Sequence, residues 1–85
     1  MKYKKELGIY IKITDENEIS EYYYVDERVH CCVGDKEYVG FINDIGAYQS
    51  VFGFWLDTST SKTSRTYEFI DLSEVIQMKK LPDED

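Results

Sequence analysis

This chain predicts an all-β, mainly antiparallel domain, and three observations carry that expectation. Apolar residues alternate with polar ones in short runs, as they do where successive side chains of a strand point to opposite faces. Turn-forming Gly, Asn and Asp punctuate the runs, and Gly34, Gly40, Gly46 and Gly53 lie six, six and seven residues apart, which suits the turns and bulges of a β meander. No extended segment repeats its apolar residues at the helical period.

Residues 7–14, LGIYIKIT, put Ile9, Ile11 and Ile13 on one face and Tyr10 and Lys12 on the other, the pattern of a half-buried strand, and Asp15-Glu16-Asn17 breaks it. Residues 18–25 fit a strand through Ile19, Tyr23 and Val25, or one helical turn through Ile19, Tyr22 and Tyr23. The strand is preferred, because three tyrosines and a valine favour extended backbone. Together these segments predict an N-terminal hairpin over residues 7–25.

Arg28–Val33 sets Val29, Cys31 and Val33 against Arg28, His30 and Cys32, and Gly34-Asp35-Lys36 is the turn that follows. Residues 37–42 rise again, with Gly40 marking a bulge or bend. Asn43-Asp44-Ile45-Gly46 predicts a second hairpin connection, since these residues accept the positive φ of tight turns. Residues 50–57 are apolar on both faces, Phe52, Phe54 and Leu56 opposite Val51, Gly53 and Trp55, and so predict a central strand. Trp55 reads as a core residue, with a binding-surface anchor as the alternative.

Residues 58–64, TSTSKTS, predict the longest mobile loop. Residues 65–70 resume alternation, Tyr67 and Phe69 opposite Thr66, Glu68 and Ile70. Residues 71–74 predict one short 3₁₀ turn capped by Asp71 or Ser73, and residues 75–81 a last strand that Pro82 ends. Residues 82–85 are an acidic tail.

A chain of 85 residues is one domain, 1–85, with a modest core. Aromatic content of 15% beside a single proline argues against disorder. Cys31 and Cys32 are adjacent, so they project to opposite sides of a strand and make a poor disulfide pair. No apolar run approaches the ~20 residues of a membrane span, and the start MKYKKELGIY lacks a signal peptide's apolar stretch, so the expectation is a cytoplasmic protein without a membrane partner. A pI near 4.6, with basic residues scattered singly or in pairs, argues against direct nucleic-acid binding.

From residue 27 to residue 81 the element order resembles the SH3-like and Sm-like small β-barrels, on the segments VHCCVGDKEYVGFI (29–42), FGFWLDTS (52–59) and YEFIDLSEVIQM (67–78). The resemblance implies a small barrel whose last strand closes against its first, with Ile70, Leu72, Val75 and Ile76 packing the corner. It implies a fold and not a ligand. The Asp/Asn and Arg-Gly motifs of RNA-binding Sm proteins do not appear at the matching places, nor does the Pro-Ser-Asn-Tyr run of peptide-binding SH3 domains. The hairpin over residues 7–25 is an addition to the minimal barrel.

For chemistry, His30 is the only histidine. Its same-face neighbour Cys32 is about 7 Å away at Cα, too far for ready proton transfer, so no catalytic residue is expected and the chain does not read as an enzyme. One His and two adjacent Cys supply neither the number nor the spacing of a zinc site, and Asp15, Glu16, Asn17 and Glu18 lack EF-hand spacing, so neither metal nor cofactor is expected.

Residues 15–27, DENEISEYYYVDE, carry six carboxylates and no Lys or Arg, and so account for nearly all of the formal net charge of −7. Tyr contributes stiff amphipathic contact area, and carboxylates select a basic partner. The expected partner-binding residues are Asp15, Glu16, Glu18, Glu21, Tyr22, Tyr24, Asp26 and Glu27. The expected function is a non-enzymatic protein-binding module or small acidic inhibitor that contacts a basic surface on a larger protein. One alternative is a nucleic-acid mimic of the kind some small phage-encoded inhibitors of host defence nucleases are. Fully extended, however, the segment carries one charge per roughly 7 Å against about 1.7 Å in duplex DNA. The other alternative is a structural subunit of a small-barrel homo-oligomer, since exposed strand edges pair readily.

Overall fold

A computed structural model describes residues 4–82 and is all-β apart from one 3₁₀ turn. Strands β1 (Lys4–Leu7), β2 (Ile11–Thr14) and β3 (Ser20–Tyr23) form an antiparallel three-stranded sheet in that order. Strands β4 (Arg28–Val33), β5 (Lys36–Tyr48), β6 (Val51–Asp57), β7 (Tyr67–Asp71) and β8 (Val75–Lys80) form a second antiparallel sheet in the order β7-β6-β5-β4-β8. The expected tail at residues 83–85 lies outside the described residues.

The expected two-stranded hairpin is a three-stranded meander, because the strand expected over residues 7–14 breaks at Gly8–Tyr10. There the Gly8 N–H donates to the Tyr10 carbonyl at 2.9 Å, and Leu7 pairs with Ile11 across the turn. Ile9, expected on the inner face with Ile11 and Ile13, stands at the tip with 83% of its surface exposed. The second expected strand, residues 18–25, shortens to Ser20–Tyr23 and is extended, not helical. Positive φ at Glu18 and Asp26 bounds it at both ends, in turns.

In the longer sheet, Gly34 sits with φ +60 at the first position of the two-residue β4–β5 turn, as a primed hairpin turn requires. The hairpin expected at residues 43–46 is instead a bulge: the ladder shifts register between Ile42 and Asp44, and β5 runs on to Tyr48. The chain reverses at Gln49 and Ser50, both with positive φ. Gly40 lies where β5 bends across the end of β6, and a Cβ there would run into the Asp57 carbonyl oxygen. Strand β6 is flanked by β5 and β7, the central position its two apolar faces suggest.

Asp71 caps the 3₁₀ turn Leu72–Glu74 by accepting from the Ser73 N–H at 2.9 Å and the Ser73 hydroxyl at 2.7 Å. This corner reverses the chain so that β8 pairs with β4. Ile70, Leu72 and Val75 are buried as expected, whereas Ile76 faces out. Strands β7 and β8 are the two edges of the sheet, so hydrogen bonding does not close it into a complete barrel.

The inner face of the long sheet contributes Val29, Cys31, Ile42, Phe54, Leu56, Ile70, Leu72, Val75 and Met78 to one core, and the short sheet inserts Ile11 and Tyr23 into it. The Tyr23 hydroxyl donates to the Met78 carbonyl at 2.9 Å, so the buried polar end of the ring is satisfied. Phe52, expected beside Phe54 and Leu56, lies beyond the core edge and is exposed. Among the described residues no helix is long and apolar enough to cross a membrane.

Candidate functional site

The pairing of β2 with β3 divides residues 15–27 between two faces and two ends of the short sheet. Ile11 pairs with Tyr23 and Ile13 with Glu21 on the face toward the core, while Lys12 pairs with Tyr22 on the outer face. Tyr24, two residues beyond Tyr22, also turns outward and is exposed. Tyr10 lies between them, its ring centre 5.2 Å from Tyr22 and 5.8 Å from Tyr24, in edge-to-face geometry. Lys12 Nζ stands 5.7 Å from the Tyr22 ring centre. Tyr10 and Lys12 thus belong to this face although they fall outside the acidic segment. The signal for them was the strand period itself, which places both opposite Ile11 and Ile13.

The carboxylates flank this face. At the β2–β3 turn, Asp15 Oδ1 accepts from the Asn17 N–H at 2.8 Å and the Ile19 N–H at 3.0 Å, so Asp15 shapes the turn. Glu16 and Glu18 are exposed at its tip. At the opposite end, Glu27 Oε1 accepts from the Tyr24 N–H at 2.8 Å while its Oε2 lies 3.4 Å from Lys80 Nζ. Asp26, with φ +78, points from the same turn into solvent. Glu21 is exposed beside a small groove between the sheets that Ile13, Tyr23 and Met78 also line. Of the eight expected partner-binding residues, six therefore present free surface, and Asp15 and Glu27 hold the loops that present them.

On the long sheet, Trp55 is half-buried on the outer face. Its ring centre is 5.0 Å from Tyr48 and 5.3 Å from Phe69. The residue 58–66 connection is pinned at its base by the Thr58 N–H to Thr66 carbonyl bond, 2.9 Å, and by the Thr66 N–H to Ser59 hydroxyl bond, 2.7 Å. An open groove of about 860 Å³ beside the β7 and β8 edges is lined by Tyr38, Tyr48, Phe69 and Ile76 among others, with no His or Cys in its wall.

His30 and Cys32 project from the outer face of β4, and the register sets Glu37 of β5 opposite Cys32. One ligand atom from each of the three lies within 4.8 Å of the others. Counting only His and Cys in the sequence overlooks this set, because its third member is a cross-strand carboxylate. The hairpin turn at Gly34-Asp35 is the signal that fixes its register. Cys31, by contrast, is buried, and burial first, then the neighbouring Cys32, pushes its thiol up to about 12.

Compared with known proteins, the chain matches no family model, no curated protein and no solved structure.

Proposed function

We propose that this chain is a non-enzymatic protein-binding module or small acidic inhibitor, docking on a basic surface of a larger protein through the outer face and rims of its short sheet. The observation that carries this reading is the packed trio Tyr10, Tyr22 and Tyr24, with exposed Glu16, Glu18 and Asp26 at the two flanking turns. Stiff aromatic contact area at the centre with charge at the rim is how protein interfaces combine affinity with partner choice. The small-barrel kinship belongs to the same proposal. It draws support from the order β8-β4-β5-β6-β7 and from the 3₁₀ corner between the last two strands. The nucleic-acid-mimic alternative draws less, since the carboxylates divide between two turns and do not run along one edge.

A homo-oligomeric subunit is the second reading, favoured by exposed Tyr48, Val51 and Phe52 around the β5–β6 turn. Light scattering tests it: a dimer or ring that Phe52→Ser returns to monomer supports it.

The docking reading is tested with two variants of the tagged full chain. One carries Glu16, Glu18 and Glu21 as Gln and Asp26 as Asn; the other carries Tyr22→Ser and Tyr24→Ser. Partner capture from lysate should fall as salt rises and be lost in both variants, with folding checked by circular dichroism. Capture by the folded acid variant equal to wild type would overturn the reading.

A further inference from the structure

We propose that His30, Cys32 and Glu37 form an open three-ligand zinc site on the outer face of β4 and β5, away from the tyrosine face of the short sheet. Two observations meet there. The first is geometric: an imidazole nitrogen, the Cys32 sulfur and a Glu37 carboxylate oxygen lie within 4.8 Å of one another. Tetrahedral zinc bonds of roughly 2.0–2.3 Å hold ligand atoms about 3.3–3.8 Å apart, so small side-chain rotations of exposed Glu37 and half-buried Cys32 bring the three onto one ion.

The second is an unsatisfied atom. His30 Nε2 is 2.8 Å from Glu37 Oε1, while Nδ1 of the same ring is buried and has no hydrogen-bond partner among the described residues. It is the single buried side-chain nitrogen or oxygen of which that is true among those residues. A buried polar atom left unpaired costs free energy, and a bound water or ion is one of the few things that account for such an atom in a native protein.

The donor set selects the metal. A thiolate, an imidazole and a carboxylate are a borderline mixture that suits zinc, whereas calcium and magnesium require oxygen ligands throughout. Zinc bound by a thiolate, a carboxylate and a neutral imidazole carries no net charge. Lys79, opposite His30 on β8, and Arg28, on the same face of β4, are the cations of that face. They oppose metal approach, and binding releases the thiol proton to solvent. His30 has 21% and Glu37 71% of its side chain exposed, so the ion reaches the site from solvent and a water completes the tetrahedron.

Cobalt(II) is the probe. The full chain, reduced and stripped of metal, is titrated with Co²⁺ and followed by absorption, then back-titrated with Zn²⁺. The expected result is one ion per chain, a thiolate-to-cobalt charge-transfer band with the strong visible bands of a tetrahedral ion, and their loss on adding zinc. Cys32→Ser should abolish the charge-transfer band. His30→Gln and Glu37→Gln should each weaken binding by more than about tenfold, the scale that loss of even an outer-shell partner reaches. Cys31→Ala should leave the band in place, and calorimetric Zn²⁺ titration of the wild type supplies an affinity that depends on no variant. No charge-transfer band in the wild type, a band that survives Cys32→Ser, or one ion shared by two chains would each overturn the site.

Discussion

The short sheet sends two side chains, Ile11 and Tyr23, into the buried core, whereas the long sheet and its 3₁₀ corner supply all the rest, from Val29 through Met78. Each strand of the short sheet has four residues, while β5 alone has 13. The short sheet therefore has no core of its own. It is held by burial of Ile11 and Tyr23, by partly buried Leu7 and Ile13 packed against the same core, and by the Tyr23–Met78 hydrogen bond, with Lys5 Nζ donating to the Ser73 carbonyl at 3.3 Å as an exposed tether. A surface whose fold is underwritten by a neighbouring sheet is free to carry exposed tyrosines and carboxylates that add nothing to the buried core.

The comparison is broken most severely from the long sheet. Phe54 is fully buried on β6, and Phe54→Ala should lower stability by about 3–5 kcal/mol through lost burial and the cavity left behind. Because both sheets share that core, amide exchange at Ile11 and at Leu56 should accelerate together. Protection kept at Ile11 but lost at Leu56 would mean that the short sheet has a core of its own.

A smaller change should separate the two. Tyr23→Phe keeps the ring and removes the donor to the Met78 carbonyl, for a loss of about 1 kcal/mol. Its effect should be local, because Cys31 pairs with Met78 across β4 and β8 on the buried face beneath Tyr23. With its thiol pushed up to about 12, first by burial, Cys31 is protonated at neutral pH and inert while the sheets stay docked. Alkylation followed by mass spectrometry should find Cys32 modified readily in both proteins and Cys31 modified faster in Tyr23→Phe. Equal Cys31 rates would show that the hydrogen bond does not hold the sheets together.

The long sheet was the more legible half of the molecule. Alternation located β4, β6, β7 and β8 to within a residue or two, and the Asp71 cap was visible because Asp71 and Ser73 interrupt the alternation between two apolar runs. The misreadings have local causes. Ile9 continued the alternation of Ile11 and Ile13, so the break that Gly8 permits was hidden by a residue that reads as strand. Asn43 and Gly46 advertised a turn where the chain makes a bulge, while Gln49 and Ser50 reverse it without the Gly, Asn or Asp that most readily take positive φ, their φ fixed by the pairing of Tyr48 with Val51. The tyrosine face was half legible: its residues follow from strand period, but its separation from the carboxylates depends on where both turns close. The His30, Cys32 and Glu37 set needed a cross-strand register, which a scan for ligand spacing along one strand does not supply.

The smallest expected effect belongs to the long sheet alone. Ser59, through its hydroxyl and its backbone N–H, holds the Asp57 carboxyl below the usual carboxylate range, and Arg65 adds to this with Nη1 at 3.2 Å from Oδ2. A folded-state value below the unfolded one gives stability that is present above the ordinary carboxylate pKa and is lost as pH falls through the lowered value. Acid denaturation should therefore show a decrement below about pH 4 that Asp57→Asn lacks, smaller than the effect of Tyr23→Phe because Arg65 is half exposed and its attraction is screened. The loosening should appear at the base of the residue 58–66 connection, where the Thr58 N–H meets the Thr66 carbonyl, and leave unchanged the Gly8 N–H of the β1–β2 turn, whose acceptor is the Tyr10 backbone carbonyl. Amide exchange on the acid side reads both sites in one experiment. Equal acceleration at the two would mean that the sheets are coupled more tightly than the burial of Ile11 and Tyr23, the packing of Leu7 and Ile13 and the Tyr23–Met78 hydrogen bond account for.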